Sequence, residues 1–261
     1  MRRLCLLLAF ALVAACGAGT DDDADERLRV VTSGGFAQAY ARLAPRFAEA
    51  TGIDITTEYG ASTGGAPDSI PERLARGEHF DLVILSRESL DALTEAGHVV
   101  PASRTDLARS RIGIAVREGA TVPDIATPEA FRQALLDAES IGLSASVSGT
   151  YLATGLFPRL GLSDELAAKS VRIESERVAA VVARGEVEIG FQQVSEIVGV
   201  EGAVLVGPIP GEYQKVTTFG AGITTDAANP AAARRLLDYL AWVGVAPVIA
   251  ETGLEPVAAE R

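Results

Sequence analysis

From Leu28 onward the chain repeats one pattern: a short apolar strand, a turn of hydroxyl and glycine residues, then an amphipathic helix. Residues 28–32 (LRVVT) run into Ser33-Gly34-Gly35 and a helix. Residues 53–59 (IDITTEY) run into Gly60-Ala61-Ser62-Thr63-Gly64-Gly65 and another. Strands that alternate with helices need crossover connections, which predicts an α/β fold of mostly parallel sheets flanked by helices. A strand that stops at Ser, Thr or Gly before a helix leaves backbone N–H groups and hydroxyls facing the mouth of the sheet. Such a mouth binds an anion or polar oxygens without a full countercharge.

The pattern can be followed almost to the end. The first helix places Phe36, Tyr40, Leu43 and Phe47 on one face and stops near Gly52, with Pro45 expected to bend or interrupt it. A second helix spans 68–76 with Pro71 in its first turn, followed by a buried strand at 80–85 (FDLVIL). A helix at 89–96 turns Leu90 and Leu93 inward and is closed by Gly97. From 112–116 (IGIAV) the pattern restarts. Thr127-Pro128-Glu129 carries the cap and first-turn proline of a helix. A strand at 141–143 leads into a third hydroxyl-rich turn that includes Ser146, Ser148, Gly149 and Thr150, and then a helix with Tyr151, Leu152 and Leu156. After a helix at 176–184, a strand at 187–191 ends at Gln192-Gln193, and Asn229-Pro230 opens a terminal helix. Ala75-Arg76-Gly77-Glu78 is echoed by Ala183-Arg184-Gly185-Glu186, each before a buried strand. These features predict two similar lobes, 27–111 with 218–261 and 112–217. Two chain crossings form the hinge, and a ligand cleft lies beyond the carboxyl ends of the strands.

The N-terminus predicts where the cleft works. Arg2 and Arg3 precede an apolar stretch at 4–14 (LCLLLAFALVA) too short to span a bilayer comfortably. Val13-Ala14-Ala15-Cys16 resembles a bacterial lipobox, so residues 1–15 read as a signal peptide and Cys16 as the acylated residue that anchors the chain to a membrane. Residues 16–26, mostly glycine, alanine and aspartate, read as a tether. Cys5 and Cys16 are then both committed, and no disulfide is expected. The net charge of −12 argues against nucleic acid and anionic lipid surfaces as partners. Any anion site must therefore work by short-range hydrogen bonds, and a monomer is expected.

The order of these phrases resembles the molybdate-binding family of extracytoplasmic solute-binding proteins, the capture components of ABC importers. The likeness rests on strand–Ser-Gly-Gly, the Tyr-Gly-x-Ser-Thr-Gly-Gly turn at 59–65, and 70–85 (IPERLARGEHFDLVIL). It continues through 182–193 (VARGEVEIGFQQ) and Thr252-Gly253-Leu254-Glu255-Pro256. The resemblance implies a two-lobed type II binding fold that holds an oxyanion with neutral donors and hands it to a permease. It assigns the first-strand serine role to Ser33, with Gly34 beside it. The second serine role goes to Ser62 with Thr63, and the third-turn amides to Ser146–Thr150. The family's tyrosine position falls on Gln193, and Gln192 stands where a small apolar residue is usual. A carboxamide both donates and accepts, whereas a tetrahedral dianion only accepts. A small di- or tricarboxylate is therefore the alternative ligand to a molybdate-type oxyanion.

An enzyme is not expected. The two histidines, His79 and His98, lie near no nucleophile motif, and there is no Gly-x-Ser-x-Gly. No cysteine–histidine cluster calls for a metal, and no phosphate loop or dinucleotide fingerprint calls for a cofactor.

Overall fold

The computed structural model describes residues 27–63, 66–174 and 176–257. Cys16, the leader and the tether lie outside the described residues, as do Gly64 and Gly65. Among the described residues, eleven strands form two sheets. The first contains β1 (Arg27–Ser33), β2 (Asp54–Gly60), β3 (Leu82–Ser86), β4 (Thr105–Ser110), β10 (Thr217–Ile223) and β11 (Glu255–Pro256) in the order β11-β4-β10-β3-β1-β2. The second contains β5 (Ile112–Arg117), β6 (Ile141–Ser144), β7 (Ser170–Ile173), β8 (Ile189–Gln193) and β9 (Ala203–Pro208) in the order β7-β6-β8-β5-β9.

Both sheets are mixed rather than mostly parallel. β1 runs parallel to β2 and β3, and β6 runs parallel to β7 and β8. The strands next to the crossings run antiparallel: β10 against β3 and β4, and β5 against β8 and β9. The reason lies in the connections. Arg111 alone separates β4 from β5, so one nearly continuous strand serves both sheets. Gln214 clamps this crossing: its Oε1 accepts from the Ile112 N–H at 2.7 Å and its Nε2 donates to the Ile112 and Ile209 carbonyls.

Side-chain alternation explains why helices cover both faces of the sheets. In β3, Leu82 and Ile84 join the core beneath the helix Gly34–Thr51 and the helix Pro230–Ala241. Val83 and Leu85 point the other way, onto Ile70, Leu74, Leu90 and Leu93. In the second sheet Ile112, Ile114, Ile189 and Phe191 pack with Phe131, Leu135 and Leu156, while Ala115 faces Val178 and Val182. The apolar cores thus hold each lobe together without a disulfide.

Local signals act as read. Thr127 Oγ1 accepts from the Ala130 N–H at 3.1 Å, and Asn229 Oδ1 from the Ala232 N–H at 3.0 Å. Gly77 and Gly185 both take positive φ at helix ends, and each is flanked by an ion pair, Arg76–Glu78 and Arg184–Glu186. Pro45 does not interrupt the helix Gly34–Thr51, which runs through it. Pro45 and Ala41, whose carbonyl loses its partner, are both on the exposed side, where water can serve that carbonyl.

Candidate functional site

Each polar turn begins where a strand ends. Ser33 is the last residue of β1 and the N-cap of an eighteen-residue helix, yet its side chain makes no cap hydrogen bond. Its Oγ is buried without a partner, which leaves it free for another acceptor or donor. Gly35 follows because nothing larger fits, and Gly34 lies directly against the Glu196 carboxyl. A Cβ on Gly35 would lie 2.0 Å from the Phe219 ring, and one on Gly34 would lie 2.2 Å from Glu196 Oε1. Ser62 is buried after β2, and its Oγ accepts from the Ser86 N–H at 2.9 Å.

The opposite wall comes from the second sheet. Ser144, at the end of β6, shares a hydrogen bond of 3.0 Å with Ser148. Gln192 and Gln193, the last two residues of β8, are both buried. Gln192 Nε2 donates to Glu196 Oε1 at 3.1 Å and Gln193 Nε2 to Thr217 Oγ1 at 3.1 Å, while both Oε1 atoms are unpartnered.

These walls enclose one cavity of about 630 Å³ between the lobes. Ser33, Gly34, Ser62, Ser146, Ser148, Gln192 and Gln193 all line it. Thr63, Gly149 and Thr150 do not. Gly149 is needed for packing instead, since a Cβ there would lie 1.9 Å from the Ser144 carbonyl oxygen and its N–H donates to Ser144 Oγ. Thr150 is exposed and continues the helix, its N–H bonded to the Ser146 carbonyl.

Sequence reasoning missed Glu196, Arg177 and Phe219, which line the same cavity. Glu196 is the consequential omission. It stands three residues after Gln193, the N-cap of the helix Val194–Ile197. That is the spacing at which a glutamate reaches back to the cap, and a Gln193 backbone hydrogen bond to it is present. Burial pushes its carboxyl up to about 7, against the opposing pull of Arg177 and of the hydrogen bonds from Gln193 and Gln192. The lobes also touch here: Ser195 Oγ donates to the Gly35 carbonyl at 2.7 Å and Gln38 Nε2 to the Val198 carbonyl at 2.5 Å. Chemically, the cavity offers neutral hydroxyls, a helix N-terminus and one carboxyl group able to change protonation near neutrality.

The profile of bacterial extracellular solute-binding proteins matches residues 28–255. The chain belongs to that family. Among curated relatives, this solute-binding protein is similar to an aconitate isomerase from Pseudomonas sp, 43% identical over 233 residues, which is 89% of each chain. Its fold matches the periplasmic molybdate-binding protein of Azotobacter vinelandii at a TM-score of 0.72 and 22% identity, over 89% of this chain and all of that one. It also matches the sulfate-binding protein SubI of Mycobacterium tuberculosis at a TM-score of 0.71 and 18% identity, over 89% and 88%. The fold is therefore the two-lobed fold of periplasmic binding proteins.

Proposed function

We propose that this solute-binding protein is an extracytoplasmic, lipid-tethered capture protein whose cleft takes a small tricarboxylic acid of the aconitate class. The observation that carries the reading is the unspent hydrogen-bonding capacity on both walls of one cavity: Ser33 Oγ on one side, Gln192 and Gln193 Oε1 on the other. A tetrahedral oxyanion presents its acceptors from one small sphere. A tricarboxylic acid spreads its carboxyl oxygens over a longer frame, and any carboxyl that keeps its proton can donate to an amide oxygen. The amides can also turn, because the Thr217 hydroxyl can serve either end of Gln193. The name of the 43% identical relative supports the same ligand class.

Ligand held by Ser33, Gly34 and Ser62 on one lobe and by Ser146, Ser148, Gln192 and Gln193 on the other favours the closed state, since only that state makes both sets of contacts. The crossing at Arg111, clamped by Gln214, is the natural hinge. The lipobox-like sequence ending at Cys16 supports the tether, and the family supports delivery of the closed form to an ABC permease; the chain is taken to act as a monomer. A second reading, in which the captured acid is also converted, is favoured by the isomerase name of the 43% identical relative and by the Glu196 carboxyl in the cleft.

Titration calorimetry of the chain from residue 27 with cis-aconitate, trans-aconitate, citrate, molybdate and sulfate tests the ligand class. Tighter binding of a tricarboxylate than of either inorganic ion is expected. Molybdate or sulfate binding with no heat from any tricarboxylate overturns the reading.

A further inference from the structure

Glu196 is a buried carboxyl group on the wall of the capture site. It stands on the second lobe but reaches across to the first residue of the helix Gly34–Thr51, beside Ser33. Its carboxyl is held by Gln192 Nε2 at 3.1 Å and by the Gln193 backbone, so its position is set from its own lobe. A negatively charged ligand in this cavity would meet that carboxyl where a neutral side chain would bind it better. Held in position by its own lobe and turned to the cavity wall, the carboxyl is placed to exchange a proton with a bound ligand.

We infer that Glu196 is an acid–base residue that moves a proton between two carbons of a bound unsaturated acid, so that the capture site also isomerises its ligand. The inference rests on the tricarboxylate reading above. In aconitate a methylene carbon lies between a carboxyl group and the double-bonded carbon that bears the central carboxyl. The Glu196 carboxylate takes a proton from that methylene. The C–H electron pair becomes the new C=C bond, and the former double-bond pair is delocalised onto the opposite carboxyl. The protonated Glu196 then returns its proton to the former vinyl carbon. One C–H bond breaks and one forms, the double bond moves by one carbon, and no oxidant, reductant or second substrate is consumed. Because the aconitate skeleton maps onto itself under this shift, the product is aconitate again, and the new double bond can form with either geometry. The charge that builds on the far carboxyl faces Ser33, Ser62 and the N–H groups that open the eighteen-residue helix.

The raised affinity of Glu196 for its proton suits the task, since a base and its conjugate acid must both be accessible near neutral pH. The charged groups that share the cleft are Arg177, which pulls the carboxyl down, Arg42 on the helix Gly34–Thr51, and Asp68, Glu174 and Glu176. With the carboxylate as the working form, kcat/KM should rise with pH up to about 7 and then level off.

The test compares the wild-type chain with Glu196→Gln, which keeps the shape of the side chain and an oxygen able to accept from Gln192. Each is incubated with cis- or trans-aconitate in D2O. Conversion and carbon-bound deuterium are read by proton NMR, and binding is read in parallel by calorimetry. Expected are interconversion and deuterium uptake by the wild type, with a loss of about 100-fold or more in Glu196→Gln while binding stays within about tenfold. Wild-type binding of aconitate without conversion or exchange would overturn the inference and leave the ligand reading intact. Equal turnover by Glu196→Gln would overturn the role of this residue. Absence of aconitate binding would overturn both together.

Discussion

Ser33→Ala should move stability and affinity in opposite directions. Replacing an ordinary capping serine with alanine costs a helix about 1 kcal/mol, because the hydroxyl oxygen accepts from a free N–H in the first turn. Ser33 makes no such bond, and its Oγ is buried at 2% residue exposure with no partner. Removing an unsatisfied buried hydroxyl relieves a desolvation cost of about 1 kcal/mol. For a chain of this size that is a rise of about 2–4 °C in Tm. The same hydroxyl should hydrogen-bond a carboxylate of the ligand, a contact worth about 1.5–3 kcal/mol, so Kd should rise by about 10- to 150-fold. Differential scanning calorimetry without ligand, paired with titration of the tricarboxylate, measures both quantities. A lower Tm with unchanged Kd would make Ser33 a helix cap and nothing more.

Ser62→Ala should instead lower both stability and affinity, the latter seen as a rise in Kd. Its Oγ accepts from the buried Ser86 N–H, and orphaning that donor costs about 1–3 kcal/mol, readable as a fall in denaturation midpoint. Gly35→Ala should lower Tm and weaken binding together, since its Cβ would displace the Phe219 ring that lines the cavity; overpacking of this kind costs about 1–3 kcal/mol. The pH dependence of stability should differ between the ligand-free wild type and Glu196→Gln. A carboxyl whose proton is held more tightly in the folded chain adds stability that is complete below its unfolded value of 4.5 and is lost as pH rises through about 7. The wild type should therefore lose stability relative to the glutamine variant between about pH 4.5 and 7, by on the order of 3 kcal/mol, in urea titrations at a series of pH values. Parallel pH profiles for the two proteins would contradict this.

What could be read from residues alone followed local chemistry. Apolar stretches such as 80–85 and 112–116, the caps at Thr127 and Asn229 and the serine turns depend on neighbours in sequence, and they lie close to where the pattern places them. Pairing direction does not: nothing in the composition of β5 or β10 says that they run antiparallel to their partners, because that is decided by the two crossings, at Arg111 into β5 and from β9 back into β10. Seven of the ten expected site residues face one cavity because they end strands whose carboxyl ends converge there. Thr63, Gly149 and Thr150 do not, since adjacency in a turn does not decide which side chain faces the cleft.

Glu196 was hidden for a related reason. In sequence it is one of many acidic residues on an acidic chain, and only its distance of three from Gln193 hinted at a carboxyl turned back toward the strand end. The proximity of Gly34, on the other lobe and far away in sequence, had no sequence signature at all. The expectation of a binding protein without turnover rested on missing histidine and nucleophile motifs. A single buried glutamate needs neither for a proton shift between carbons.

A co-crystal structure of the chain from residue 27 with trans-aconitate should hold the acid in the interlobe cavity, with one carboxylate on Ser33 and Ser62 and another on Gln192 or Gln193, so that both lobes touch the same molecule. Aconitate bound to one lobe alone, or outside that cavity, would contradict this arrangement.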